Sequence, residues 1–153
     1  MACNAAHAHE REIREAISAP FLSMIDETAD AVAALELRPR RIGVLAADGC
    51  LAANLYQEAL RARGMTAMLL SSTDQRAFMD VIYAIKSGEI AGSREPMRRL
   101  AGQLVDQGAE VILAGCTEAP LVLTPQDVAT PLVSSTDVLV ERAIVLAGAK
   151  LKV

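Results

Sequence analysis

Cys116 stands directly after the apolar run Val111-Ile112-Leu113-Ala114-Gly115 and directly before Thr117 and Glu118. A buried-strand pattern that stops at a glycine and then delivers a thiol, a hydroxyl and a carboxylate is where an α/β protein puts chemistry. Ligands in such folds bind beyond the carboxyl ends of parallel strands. A second thiol, Cys3, stands near the start in Ala2-Cys3-Asn4-Ala5-Ala6-His7. A thiol of unperturbed pKa about 8.5 is a base when ionised and an acid when protonated. At a helix N-terminus the dipole and the free N–H groups stabilise the thiolate, and the same N–H groups can hold a carboxylate. Two such thiols on opposite faces of one carbon would remove a proton from one side and deliver one to the other. That inverts a stereocentre without a cofactor.

Other chemistries find fewer partners. Nucleophilic catalysis by one cysteine needs a histidine base and an orienting group, and His7 and His9, the two histidines, both fall on the predicted helix after Cys3. Neither Cys-x5-Arg nor Cys-x-x-Cys occurs. A metal site built on Cys3, His7 and His9 lacks a further strong ligand, so no metal is expected. Each feature also has a plain structural reading. Cys50 reads as core filling, cysteine being among the most buried residue types. Asn4 reads equally as a helix cap, Lys86 as a solvated charge at a helix C-terminus, and Glu118 as a carboxylate favoured at a helix N-terminus.

The elements that must position these groups alternate along the chain. Residues 5–17 are predicted as a helix ended by Pro20, residues 21–25 as a short strand, and residues 27–37 as a helix capped by Asp26 or Thr28. The polar break Arg38-Pro39-Arg40-Arg41 is the best domain boundary. A strand over 42–46 follows, then a helix over 51–63 closed by Gly64 and a strand over 65–70. A helix opening at Asp74 carries the apolar face Phe78, Val81, Ile82, Ile85, and a longer one runs over 94–107. The strand 110–114 leads to Cys116, a strand over 131–133 follows, and Thr136 or Asp137 caps a last helix to about residue 147. Strands alternating with helices of this length imply βαβ units and a parallel sheet, an α/β fold. From residue 41 onward there are enough elements for a self-sufficient lobe. The first forty residues are too few for a second of that kind, and Cys3 follows only Met1 and Ala2 where a strand is expected.

The bulk properties agree with one globular unit. The chain has 153 residues, 52% hydrophobic and 22% charged, a globular composition and about one domain's length. Aromatic residues make up 3% with no Trp, and the net charge is −4, so a stacking platform and a basic footprint for nucleic acid are both missing. No apolar run approaches the roughly 18 residues of a membrane span, and no signal-peptide pattern is present. Three widely spaced cysteines fit free thiols in a reducing compartment, which makes the cytoplasm the expected location.

At this point the motifs carry a family resemblance. Cys3-Asn4-Ala5-Ala6-His7 resembles the Cys-Asn-Thr-Ala-His motif of the aspartate/glutamate racemase family. Gly115-Cys116-Thr117-Glu118-Ala119-Pro120-Leu121 resembles its second motif, Gly-Cys-Thr-Glu-Ile-Pro-Leu. Residues 42–57 resemble the segment that opens the second lobe, Ile82-Tyr83-Ala84-Ile85-Lys86-Ser87-Gly88 resembles Ile-Tyr-x-x-Ile-Lys-x-Gly, and residues 131–141 resemble the closing strand and helix. The resemblance implies a two-lobed α/β fold and an enzyme without cofactor, in which Cys3 and Cys116 are the paired acid and base at the substrate Cα. It places substrate contacts on Asn4, Ala5, Ala6 and Thr117, and recognition of a side-chain carboxylate on Lys86. The substrate implied is a small-molecule amino acid, aspartate or glutamate first, and family habit implies a homodimer.

The departures are also specific. Ala5 stands where the family has Thr, and Ala47, Asp48 and Cys50 stand in place of the threonines of a Thr-Thr-Gly-Thr segment; Asp48 near an acidic substrate would repel it. Hydantoin racemases, maleate isomerases and arylmalonate decarboxylases are similar in fold, and a changed pocket could point to them. A Gly-Gly-Met-Gly-Pro-like motif, several first-lobe strands and a substrate-contacting arginine of the family have no counterpart in the sequence. The expectation is therefore an N-terminally truncated racemase with an incomplete first lobe over residues 1–40, a second lobe over 41–135, and a C-terminal helix over 136–153 packing back on the first. The alternative from another class is a non-catalytic fragment or small-ligand binding remnant.

Overall fold

The computed structural model describes residues 1–148; the end of the segment expected over 136–153 lies outside them. Four strands, β1 (Arg41–Ala46), β2 (Thr66–Met68), β3 (Val111–Gly115) and β4 (Leu132–Ser134), form a parallel sheet in the order β2-β1-β3-β4. Parallel neighbours need long crossovers, and helices supply them. The chain runs from β1 through α3 (Asp48–Ala52) and α4 (Leu55–Ala62) to β2. It returns through α5 (Ser72–Lys86) and α6 (Arg94–Asp106) to β3, and α7 (Ser135–Leu146) follows β4. Ahead of the sheet lie α1 (Glu10–Ala16) and α2 (Met24–Ala33).

The apolar strand runs are buried on both faces, as a doubly covered parallel sheet requires, and the two-residue period divides them. Ile42, Val44, Val111 and Leu113 pack with Ala29 and Val32 of α2 and Tyr56 and Leu60 of α4. Leu45, Ile112 and Ala114 pack with Phe78 and Ile82 of α5 and Met97, Leu100 and Leu104 of α6. α7 lies along α2, where Arg142 Nε meets Glu27 Oε2 at 3.2 Å. From β1 the chain steps to β2 on one side, while β3 lies on the other. The order of connection therefore reverses between β1 and β3, and a crevice opens beyond their carboxyl ends.

Three expected elements differ. Residues 21–25 are not a strand: Ser23 Oγ accepts the Asp26 N–H at 3.3 Å, so α2 begins at Met24 and its first turn sends Met24 and Ile25 into the core. The cap is thus Ser23, not Asp26 or Thr28. The helix expected over 5–17 is a 3-10 turn, Ala5–His9, followed by α1, which buries no residue. The helix expected over 51–63 is broken at Asn54, whose φ of 55° is left-handed. Asparagine is one of the few residues besides glycine that visits this region.

Candidate active site

Cys116 follows β3 directly, at the switch point. Its side chain is buried, and the thiol donates to Glu118 Oε2 at 2.9 Å. The Thr117 hydroxyl donates to the same oxygen at 3.0 Å, and Lys86 Nζ stands 3.5 Å from Glu118 Oε1. Lys86 reaches this point because it is the last residue of α5, a helix started by Ser71 Oγ accepting the Asp74 N–H at 3.1 Å.

These groups, together with Cys3, Asn4, Ala5, Ala47 and Gly115, line one cavity of about 140 Å³. Cys3 and Cys116 therefore face a common space, with Cys3 exposed and Cys116 buried. Of the residues expected at the site, Cys3, Asn4, Ala5, Lys86, Cys116 and Thr117 line the cavity and Ala6 does not. Asp48 is not a lining residue either; its Oδ1 accepts from Gln75 Nε2 at 2.7 Å. Cys50 is fully buried, and burial pushes its thiol up to about 12. A larger cavity of about 440 Å³ lies against α6, where Arg98 pairs with Glu95 and Asp127 pairs with Arg94; neither cysteine motif reaches it.

The electrostatics of Cys116 differ from the sequence expectation. No long helix starts at Cys116; a bend and the three-residue 3-10 turn Ala119–Leu121 follow it. The dipole that would stabilise a thiolate is therefore missing, and the thiol is pushed up to about 12 by burial and then by its hydrogen bond to the Glu118 carboxylate. Partial burial alone would raise Glu118, but the Cys116 and Thr117 hydrogen bonds, its own backbone N–H and Lys86 together hold it below its ordinary value. A carboxylate accepting several donors favours its charged form. Glu118 is thus the hydrogen-bond acceptor facing Cys116, a contact that the reading as a helix-end charge missed. Its adjacency to the cysteine was the available signal.

Asn4 also differs. It makes no side-chain cap; its amide is buried between Tyr56 and Ser135. His7 is buried as well, bonded through one ring nitrogen to the Cys3 carbonyl oxygen at 2.8 Å and through the other to the Met24 N–H at 3.0 Å. Both ring nitrogens are committed to backbone, so His7 is not a base for either thiol. No group of three His, Cys, Asp or Glu side chains among the described residues could hold a metal ion, and no helix among them is long and apolar enough to cross a membrane.

Known proteins are similar to this chain in sequence and fold. The family profile described as Asp/Glu/Hydantoin racemase matches residues 1–143. An uncharacterised protein of the pnlA 3′ region of Pectobacterium carotovorum subsp. carotovorum is 30% identical over 135 residues, 87% of this chain and 89% of its own length. The broad specificity amino-acid racemase RacX of Bacillus subtilis is 24% identical, over 93% of this chain and 61% of its own. Among solved structures, the Picrophilus torridus aspartate racemase superposes with a TM-score of 0.87 at 25% identity, covering 99% of this chain and 62% of that one. The chain thus spans less than two thirds of the length of the named racemases it matches. On the profile match and the paired cysteine motifs, the chain belongs to the Asp/Glu/Hydantoin racemase family.

Proposed function

We propose that this chain racemises an amino acid without a cofactor, Cys3 and Cys116 acting as the paired base and acid on opposite faces of the substrate Cα. The observation that carries this reading is that both thiols line one cavity, the Cys116 thiol donating a hydrogen bond to Glu118. In the productive form the Cys3 thiolate takes the Cα proton, the electron pair stays on the substrate as a carbanion, and the Cys116 thiol delivers its proton to the other face. One turnover leaves Cys3 protonated and Cys116 ionised, which is the form suited to the reverse enantiomer. Lys86, the one ammonium among the lining residues, then offsets the charge placed beside Glu118. In this reading Asn4, Ala5 and Thr117 border the substrate, and Lys86 offers a side-chain carboxylate its partner. Aspartate and glutamate are accordingly the first substrates.

The experiment is deuterium incorporation at Cα when the L- and D-forms of aspartate and glutamate, and then neutral amino acids, are incubated in D2O. Exchange is expected, and Cys3→Ser and Cys116→Ser are each expected to abolish racemisation. No exchange above a Cys116→Ala control on any amino acid, or full turnover in either serine variant, would overturn the reading.

A further inference from the structure

The two thiol-bearing segments are joined by a buried chain of hydrogen bonds that runs through Asn4. Tyr56 Oη donates to Asn4 Oδ1 at 2.5 Å, Asn4 Nδ2 donates to Ser135 Oγ at 3.2 Å, and that hydroxyl donates to the Ala114 carbonyl oxygen at 2.9 Å. Asn4 directly follows Cys3, and Ala114 lies two residues before Cys116. A single side chain, Ser135, therefore bridges the backbone that carries one thiol and the residue beside the other. Asn4 is 4% exposed, and Tyr56 and Ser135 are 0% exposed, so water cannot replace a lost partner and an orphaned amide must move or remain unpaired.

Tyr56 is fitted to this task from a second direction. A Cβ at Gly115 would lie 2.6 Å from its Cε2. The residue before Cys116 must lack a side chain for the ring to cross beside β3 and reach Asn4. Burial pushes the phenol upward, so it remains a donor. On its other side the Cys3 segment is tied through His7. Because the Met24 N–H donates to Nε2, the proton sits on Nδ1 and is given to the Cys3 carbonyl oxygen. Cys3 itself is exposed, so these ties to its neighbours, not packing around its sulfur, set its place.

We propose that Tyr56 and Ser135 are positioning residues for Cys3, acting through the Asn4 amide to hold its thiol at a fixed separation across the cavity from Cys116. The proposal rests on the two-thiol reading for its consequence in catalysis, but its geometric content is independent of any substrate. Small displacements of a reacting group cost rate steeply, up to about 100-fold for about 1 Å.

The test measures the separation directly. Bis-methanethiosulfonate reagents of increasing spacer length are reacted with the protein, and Cys3–Cys116 links are identified by mass spectrometry. The unmodified sequence is expected to link with one preferred spacer. Tyr56→Phe, which keeps the ring and removes only the hydroxyl, and Ser135→Ala are expected to lose that preference and to link about tenfold more slowly. Ile82→Val, a core substitution on the opposite face of the sheet, controls for lost stability and is expected to keep the original rate and spacer. With an amino acid that exchanges, Tyr56→Phe should lower kcat about tenfold with KM within about twofold. Linking by Tyr56→Phe and Ser135→Ala indistinguishable from Ile82→Val, or no Cys3–Cys116 link in the unmodified protein, would overturn the proposal. Altered linking without exchange on any amino acid would support the positioning role while sinking the racemase reading.

Discussion

The carboxylate of Glu118 sets the protonation of Cys116 together with burial, and the two contributions can be separated. Burial is the larger cause of the raised thiol, the Glu118 hydrogen bond the next, and Lys86 opposes both. Glu118→Gln keeps the shape of the side chain and removes its charge, so Cys116 should ionise more readily while burial still holds it above its ordinary value. Alkylation of Cys116 by iodoacetamide at pH 9, followed by peptide mass spectrometry, is therefore expected to run faster in Glu118→Gln, because a larger fraction of the thiol is ionised. Lys86→Met removes the favourable cation and should slow the same reaction. Equal rates in all three proteins would show that Glu118 and Lys86 do not govern the thiol.

At the scale of elements, what the sequence discloses depends on how local the cause is. The run Val111-Ile112-Leu113 ending at Gly115 is legible as a buried strand because a doubly covered parallel strand must be apolar throughout, and it delivers Cys116 where expected. The apolar stripe of α5 is equally local, and so its last turn carries Lys86 to the cavity. Residues 21–25 mislead because Phe-Leu-Ser-Met-Ile has the composition of a strand, while the deciding interaction is the Ser23 cap. The Asn4 links could not be read at all: Tyr56 and Ser135 lie 52 and 131 residues away along the chain. A cap is a local device whose loss should stay local. Ser71→Ala removes the acceptor for the Asp74 N–H at the far end of α5 from Lys86. It is expected to cost about 1 kcal/mol, a fall of about 3 °C in Tm, with Cα exchange unchanged. A larger fall in exchange than in stability would mean that the placement of Lys86 depends on the start of its helix.

At the scale of the molecule, the sheet's switch point and its two covered faces produce one consequence that spans both. Cys116 at the cavity and Cys50 on the buried side of α3 are each held neutral by burial up to about 12, well above the ordinary thiol value. In the unfolded chain both thiols lose their protons near the ordinary value, while the folded chain keeps them. Between about pH 9 and 12 the unfolded state therefore binds fewer protons, and stability must fall as pH rises. The contribution is fully present below the unfolded value and is lost through the folded one. Tyr56, also raised by burial, adds to the fall with the same sign at the alkaline end. Urea midpoints measured under reducing conditions should thus stay nearly level from neutral pH to about 8.5 and then decline. Cys50→Ala removes one of the two thiols without touching the cavity lining, so its decline should be shallower even if its midpoint at neutral pH is lower. Parallel declines in the two proteins would mean that Cys50 ionises alike in the folded and unfolded chain. The same window bears on the proposed racemisation: a fold that keeps Cys116 protonated until it begins to weaken holds the thiol in the form that the proposed acid requires, across the whole range in which the fold is stable.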